Sequence, residues 1–175
     1  MNEPRFVVDV NVGRLAKWLR VLGYDTLFQS DMEDNELVRI ALRESRIILT
    51  RDSGFTERRV VTTGLLKVVL IQHDDLKSQL RQVIGSLNLD SQREFSRCIR
   101  CNELLVSISR ESAKGQVPPY VYETQTEFME CSLCSRIYWR GTHWANMYRE
   151  LTQLQPAPSQ AEGACPEHSR RDGGP

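Results

Sequence analysis

The chain has 175 residues, of which 40% are hydrophobic and 26% charged, a composition typical of a folded globular protein and not of a disordered polymer. No stretch approaches the roughly eighteen consecutive apolar residues of a membrane-spanning helix, and the first residues lack the pattern of a signal peptide. We therefore expect a cytoplasmic protein with no membrane association. The formal net charge is zero, so a binding site for a polyanion must be a local cluster of Lys and Arg.

The first half of the chain alternates short β-rich runs with helical patterns, which is typical of a sheet covered by helices. We predict an α/β domain over residues 1–90, with a parallel or mixed sheet flanked by helices. The predicted strands, in chain order, cover residues 5–10, 25–28, 47–50 and 67–71. Three helices are predicted between the strands or after them. The first ends at Gly23 and buries one face, which carries Leu15, Trp18, Leu19 and Leu22 at helical spacing. The other two cover residues 34–44 and 76–87.

The second half of the chain is predicted to hold a separate small module over residues 96–152, joined through a polar linker at 88–94. Pro, Ser, Gly and charged residues dominate beyond it, so residues 153–175 are expected to form a disordered tail. Within the module the predicted elements are a β-rich run at 104–109, a Val-Pro-Pro-Tyr turn at 117–120 and a short helix at 142–151.

Four cysteines form two Cys-x-x-Cys pairs, Cys98 with Cys101 and Cys131 with Cys134. In a chain without a secretory signal, such pairs indicate metal ligands before disulfides. Two thiolate turns of this kind complete a tetrahedral sulfur shell around Zn²⁺, and four protein ligands leave no position for a substrate. We therefore predict a zinc ribbon with a structural ion. The alternatives are a pair of incidental turns or a redox dithiol.

Two further residues of the second half have open roles. Cys165 has ligand-like spacing to His168, but its position in the polar tail favours a free thiol. His143, beside Trp144 at the start of the predicted last helix, either contacts nucleic acid or packs against the module.

Aspartates mark the ends of two of the predicted strands, at the edge where parallel α/β sheets bind ligands: Asp9 lies at the end of the first and Asp52 follows the third. Asp34 begins the helix at 34–44. That helix advances about 16 Å away from the edge. The returning strand covers about 20 Å, so we expect Asp52 to return to the level of Asp34.

Three carboxylates at one edge repel each other unless a divalent cation neutralises them, and an oxygen-rich site suits Mg²⁺ or Mn²⁺. Such ions polarise a phosphodiester and activate water, so Asp9, Asp34 and Asp52 predict a hydrolytic site. Glu36 is a candidate fourth ligand or a base that orients water. The structural alternative is that Asp34 caps a helix and Asp52 starts a turn.

Polar and basic residues accompany the acidic residues along the chain. Asn11 and Thr50 are predicted to hold the carboxylates by hydrogen bonds. The basic residues of the first helix either contact nucleic acid or simply form the solvent-exposed face of that helix. Together with His143, the candidate contacts to nucleic-acid phosphates are Arg14, Lys17, Arg20 and Arg51.

Several segments resemble PIN-like nucleases, in particular the branch named for the C-terminal RNase domain of the mut-seven exonuclease. In the first half, the similar segments are DVNV at 9–12, GRLAKWLRVLGYD at 13–25 and the stretch from Asp34 to LTRD at 49–52. In the second half, they are the two cysteine pairs, VPP at 117–119 and YWRGTHW at 138–144. The similarity covers about residues 5–151 and follows the same two-part order.

This resemblance implies a PIN-like parallel sheet flanked by helices, a following zinc ribbon, Mg²⁺ or Mn²⁺ chemistry and RNA as substrate. It carries Asp9, Asp34 and Asp52 over as metal-site residues. The SGF sequence at 53–55 lacks an acid that is often present there, and Glu36 replaces a further acid of the family pattern. The alternative functions are a non-catalytic RNA- or ribosome-binding protein on a PIN-like scaffold, and a DNA-binding regulator, which the lack of a basic recognition helix disfavours.

Overall fold

The computed structural model of the protein describes residues 3–90, 95–141, 145, 146 and 149. Four short parallel strands form one sheet. The strands are β1 Phe6–Val8, β2 Thr26–Leu27, β3 Ile47–Thr50 and β4 Val68–Leu70. They lie in the order β2-β1-β3-β4, and each neighbouring pair is parallel. All four strands lie within the predicted ranges, and the predicted α/β fold with a sheet flanked by helices is confirmed.

Five helices accompany this sheet along the chain: α1 Arg14–Val21, α2 Asp34–Glu44, α3 Gly54–Glu57, α4 Arg59–Thr62 and α5 Leu76–Leu87. The bounds of α2 and α5 are the predicted ones. The sequence did not predict α3 and α4, because four residues are too few to display a periodic apolar pattern.

The hydrophobic core lies on both faces of the sheet. Successive residues of β1 point to opposite sides, so Phe6 and Val8 join a core with α1 and α5, and Val7 joins a core with α2 and α3. None of these three residues is more than 1% exposed. Burial of both faces explains why β1 is a continuous apolar run and not an alternating one.

The strand β1 continues into a single turn of 3-10 helix, Val10–Val12, which leads into α1. The helix α1 ends at Val21, and Gly23 follows the C-cap residue Leu22 with a φ of 78°, a left-handed conformation that glycine adopts without steric cost from a Cβ. This short path from β1 to α1 places residues 9–14 at the carboxyl end of the sheet.

Residues 95–141 form a second unit, here called the cysteine module, around three antiparallel strands. The strands are β5 Leu105–Ile108, β6 Phe128–Cys131 and β7 Ile137–Tyr138, with the short helices α6 Arg110–Ala113 and α7 Pro119–Thr124 between β5 and β6. The predicted Val-Pro-Pro-Tyr turn is therefore partly wrong. Pro119 begins α7, a position where the missing backbone N–H removes no helical hydrogen bond.

Some predictions fall outside the described residues. They are the last four residues of the linker at 88–94, most of the helix at 142–151, the tail at 153–175, and the roles of His143 and Cys165. Within the described part of the chain, no helix combines the length and the apolar character that crossing a bilayer requires.

Candidate functional site

Asp9 is the residue that follows β1, and it is only 6% exposed. Its Oδ1 accepts a hydrogen bond from the backbone N–H of Val10 at 2.6 Å, so it caps the 3-10 turn. Its Oδ2 accepts from Asn11 Nδ2 at 2.7 Å and from Thr50 Oγ1 at 2.6 Å. The hydrogen bonds that the sequence predicted from Asn11 and Thr50 are therefore present.

The same side chains tie the end of β1 to the end of β3. Thr50 Oγ1 accepts a hydrogen bond from the backbone N–H of Asp52 at 3.0 Å, and Asn11 Oδ1 accepts from the backbone N–H of Arg51 at 3.1 Å. The carboxylate of Asp52 is exposed, and its Oδ1 accepts from the backbone N–H of Gly54 at 2.8 Å. Asp9, Asn11, Thr50 and Asp52 thus form one connected group, here called the acidic edge.

Asp34 makes no hydrogen bond to this group. It is the first residue of α2, while Glu33 and not Asp34 occupies the N-cap position. Its Oδ2 accepts a hydrogen bond from Arg58 Nη2 at 3.1 Å, so a guanidinium neutralises it. Glu36 is exposed and pairs with Arg39 at 3.3 Å on the same helix.

The convergence of Asp9, Asp34 and Asp52 on one ion stays a prediction. In the part of the chain that the structure describes, only the four cysteines form a group of three or more His, Cys, Asp or Glu ligand atoms close enough to share one ion. Asp34 instead pairs with Arg58, through side chains that are 51% and 29% exposed.

The predicted basic residues divide into two kinds. Arg14, Lys17 and Arg51 are exposed, and Arg14 and Arg51 line one cleft beside the 3-10 turn. Arg51 pairs with Asp74 at 2.5 Å. The prediction for Arg20 is wrong, because its side chain is buried and donates to backbone carbonyl groups instead of facing solvent.

The four cysteines of the two Cys-x-x-Cys pairs converge in the cysteine module, with all four sulfur atoms within 4.8 Å of one another. The Sγ atoms of Cys98 and Cys134 are 3.7 Å apart. A tetrahedral zinc site with metal–sulfur bonds of about 2.3 Å has sulfur–sulfur distances of about 3.8 Å. The sulfur atoms therefore fit the geometry of one zinc ion.

The local electrostatics also suit a cation. Burial alone would raise the pKa of Cys98, but hydrogen bonds from the Tyr138 hydroxyl and from backbone N–H groups outweigh burial and lower it to about 6. Burial and the neighbouring thiols of Cys134 and Cys98 raise the pKa of Cys101 to about 12. Four thiolates cannot coexist this closely without a positive ion, whereas a coordinated zinc keeps all of them ionised.

The first cysteine turn docks against the edge strand β2. Asn102, which follows Cys101 with a φ of 68°, accepts from the backbone N–H of Thr26 at 2.9 Å and donates to Asp25 Oδ1 at 2.8 Å. Arg20 donates from the other side, to the carbonyl oxygen atoms of Thr26, Ile99 and Arg100, each at 2.9 Å. These contacts satisfy backbone groups of an otherwise open sheet edge.

Sequence reasoning missed the role of Asp25. Its carboxylate accepts from Arg46 at 2.6 Å and from Arg5 at 3.0 Å, in addition to Asn102. Burial alone would raise the pKa of Asp25, but these hydrogen bonds outweigh it and lower the pKa to about 2. Nothing local marks Asp25 in the sequence, since its partners lie 20, 21 and 77 residues away.

A comparison with known protein families agrees with the resemblance noted in the sequence. No curated protein and no solved structure matches the chain. The model of the Mut7-C RNAse domain matches residues 4–151, a range that includes both the acidic edge and the four cysteines. Since this match covers most of the chain, the protein belongs to the Mut7-C RNAse domain family.

Proposed function

We propose that the protein is a metal-dependent ribonuclease of PIN-like fold that hydrolyses RNA phosphodiester bonds at the acidic edge. The observation that carries this proposal is the environment of Asp9. Among the described residues, the carboxylate is buried, accepts only from the neutral donors of Val10, Asn11 and Thr50, and has no ion-pair partner. A buried carboxylate without a compensating charge is costly, and a bound cation would supply that charge.

The donor atoms of the acidic edge suit Mg²⁺ or Mn²⁺. Mg²⁺ is commonly bound through one or two carboxylates, substrate phosphates and retained water. Asp9 accepts three hydrogen bonds and so keeps one of its roughly four acceptor positions. Asp52 Oδ2 accepts no hydrogen bond from a described residue, since only Oδ1 is engaged. Asp9 and Asp52 would therefore hold the ion.

The polar and basic residues around the acidic edge have different roles in this reaction. A bound ion would polarise the phosphodiester and lower the pKa of a coordinated water. Asn11 and Thr50 orient Asp9, and exposed Arg14, Lys17 and Arg51 contact RNA phosphates. Asp34 holds Arg58 and is not a direct ligand. Glu36, on the exposed side of α2, is not part of the site in this form.

The cysteine module is, in this proposal, a zinc ribbon with a structural ion. Four cysteine ligands close the shell, which leaves no position for water or substrate. A unit of this size has little core of its own, and a bound ion supplies much of its stability. The ribbon would also extend the surface that binds RNA.

The direct test is cleavage of labelled single-stranded RNA by the full zinc-loaded chain, with Mn²⁺ or Mg²⁺ added after removal of free divalent ions. We expect the wild type to cleave only with an added ion, and Asp52→Asn to abolish cleavage. Asp31→Asn is the matched control, because Asp31 is also an exposed aspartate in a loop. Wild-type protein that is inactive with every divalent ion, or an active Asp52→Asn variant, contradicts the proposal.

A second candidate is a non-catalytic RNA-binding protein on the same scaffold. The observation that favours it is the ion pair between Asp34 and Arg58, which leaves two carboxylates and not three at the edge. On this alternative, wild-type protein binds labelled RNA but leaves it intact with Mg²⁺ and with Mn²⁺. Asp52→Asn would then leave RNA affinity unchanged or slightly increased, because it removes a negative charge.

A further inference from the structure

A cleft of about 510 Å³ lies beside the acidic edge, between the 3-10 turn Val10–Val12, the end of β2 and the start of α5. The geometry points to this cleft as the binding site for the base of one RNA nucleotide, whose phosphate then lies at the acidic edge. This inference rests on the proposed ribonuclease function and names the part of the substrate that the protein holds next to the reacting phosphate.

The size and lining of the cleft suit a small planar ligand. Its volume falls in the range of about 300–1,000 Å³ that is usual for small-molecule sites. Apolar side chains of Val12, Phe28 and Leu76 line it together with a few polar groups. A nucleobase has the same combination, with apolar faces and hydrogen-bonding edges.

Gln79 lines the cleft and has a buried acceptor, Oε1, without a partner among the described residues. The residue is 6% exposed, and its Nε2 donates to the carbonyl oxygen atoms of His73 at 2.9 Å and Asp74 at 3.3 Å. These two hydrogen bonds set the orientation of the amide. No described residue donates to Oε1. Buried polar atoms are rarely left unpaired, and each RNA base carries an N–H donor on its pairing edge.

Phe28 supplies an aromatic ring whose position depends on Gly13. A Cβ at Gly13 would lie 2.5 Å from Cε2 and from Cζ of Phe28, so the ring lies directly against the glycine backbone. The φ of Gly13 is −52°, which any residue adopts. Glycine is therefore needed for the close approach of the ring and not for backbone conformation. Aromatic side chains at such positions stack on bases.

The rim of the cleft leads to the acidic edge. Arg14 and Arg51 are exposed at the rim, and the ion pair of Arg51 with Asp74 joins two exposed side chains. Such pairs are weak, so a phosphate can compete for Arg51. Asn11 lines the cleft and also donates to Asp9 Oδ2, so the cleft and the acidic edge share a side chain.

The test is an NMR titration of the isotope-labelled, zinc-loaded full chain with each of the four nucleoside 5′-monophosphates, without Mg²⁺ or Mn²⁺. Ribose 5-phosphate is the control that lacks a base. We expect at least one nucleotide to shift the side-chain amide of Gln79 and the ring resonances of Phe28, while ribose 5-phosphate leaves both unchanged. No shift at millimolar nucleotide, or equal shifts with ribose 5-phosphate, overturns the inference.

Matched glycine variants sharpen the test. Gly13→Ala displaces the ring of Phe28, whereas Gly85→Ala places a Cβ on α5 where no atom lies within 4 Å. We expect Gly13→Ala and Phe28→Leu each to weaken nucleotide binding about tenfold, the usual effect of losing one base-stacking contact. Gly85→Ala should bind as the wild type does. Unchanged binding by both Gly13→Ala and Phe28→Leu overturns the inference.

Failure of this inference is distinguishable from failure of the ribonuclease proposal. The titration involves no RNA hydrolysis and no catalytic ion. Asp52 does not line the cleft, so Asp52→Asn should lose cleavage and keep nucleotide binding. Cleavage without shifts at Gln79 refutes only the base site, and shifts at Gln79 without cleavage refute only the nuclease.

Discussion

The four cysteines and the acidic edge are two candidate ion sites that the chain assembles in different ways. Each cysteine pair spans four residues of one turn, and the pairing of Leu105 with Cys131 between β5 and β6 joins the two turns. The aspartates come from three separate elements. Only Asp9 and Asp52 follow strands that are direct neighbours in the sheet.

The two sites therefore differ in how far apart along the chain their ligands lie. The two cysteines of each pair lie close together because the turn itself sets the spacing of their sulfur atoms. Distant carboxylates repel each other, so each takes the nearest positive or hydrogen-bonding partner, as Asp34 takes Arg58. We therefore expect the zinc site to be part of the fold and the catalytic ion to bind the acidic edge more weakly and reversibly.

The largest expected effect is the loss of zinc. Metal analysis should find one zinc per chain, and a chelator or the Cys98→Ser/Cys131→Ser variant should unfold the cysteine module, because structural zinc contributes about 10–16 kcal/mol in small domains. Hydrogen exchange should rise first over residues 95–141 and only later in the parallel sheet. Purified protein without zinc, or exchange that rises everywhere at once, would contradict the distinction between the two sites.

A smaller effect is expected at the junction that connects the two units. Asp25→Asn removes the charge that binds Arg46, Arg5 and Asn102, and should lower the free energy of unfolding by about 2 kcal/mol. Chemical denaturation measures this loss, with Asp31→Asn as the control at an exposed position. Equal stability of the two variants would mean that the junction contributes little.

The same carboxylate should make stability depend on pH in the acid range. The folded pKa of Asp25 is about 2, below the ordinary value of 3.8, so its stabilisation is complete above about pH 4 and is lost as the pH falls toward 2. Asp25→Asn should flatten this part of the stability profile. A variant whose profile falls as steeply as that of the wild type would assign the acid sensitivity to other carboxylates.

The smallest effect is expected at Asp34. If Asp34 only holds Arg58, Asp34→Asn should reduce Mn²⁺-dependent RNA cleavage by about tenfold, which is typical of a supporting residue and not of a ligand. The measurement is the steady-state cleavage rate of Asp34→Asn, compared with the rates of the wild type and of Asp52→Asn. Equal, complete loss in both variants would return Asp34 to the set of metal ligands.

Local sequence signals predicted the larger elements well. The helices at 34–44 and 76–87 have their predicted bounds, because apolar spacing and clear ends identify helices of this length. The cysteine spacing likewise predicted the convergence of all four sulfur atoms. The 3-10 turn Val10–Val12 and the short helices α3, α4, α6 and α7 were not predicted, since they have too few residues to show a period.

Long-range contacts explain the remaining errors at the candidate site. The lengths of α2 and β3 predicted that Asp34 and Asp52 lie at the same end of the sheet. They contained no information on Arg58, the partner of Asp34, which is 24 residues away in the chain. Arg20 was predicted on an exposed helix face, yet its partners Ile99 and Arg100 are 79 and 80 residues away. The periodic spacing of apolar residues shows which face of a helix is buried, but it does not show which other element packs against that face.

The most direct test of the central claim is the location of bound Mn²⁺ in the zinc-loaded protein, measured by paramagnetic broadening of NMR signals. We expect substoichiometric Mn²⁺ to broaden first the amide signals of Val10, Asn11 and Gly54, whose N–H groups or side chains bond the carboxylates of Asp9 and Asp52. Asp9→Asn should remove this selective broadening and leave the fold intact. Broadening centred on the start of α2, or spread evenly over the exposed acids, would contradict the assignment of the ion to the acidic edge.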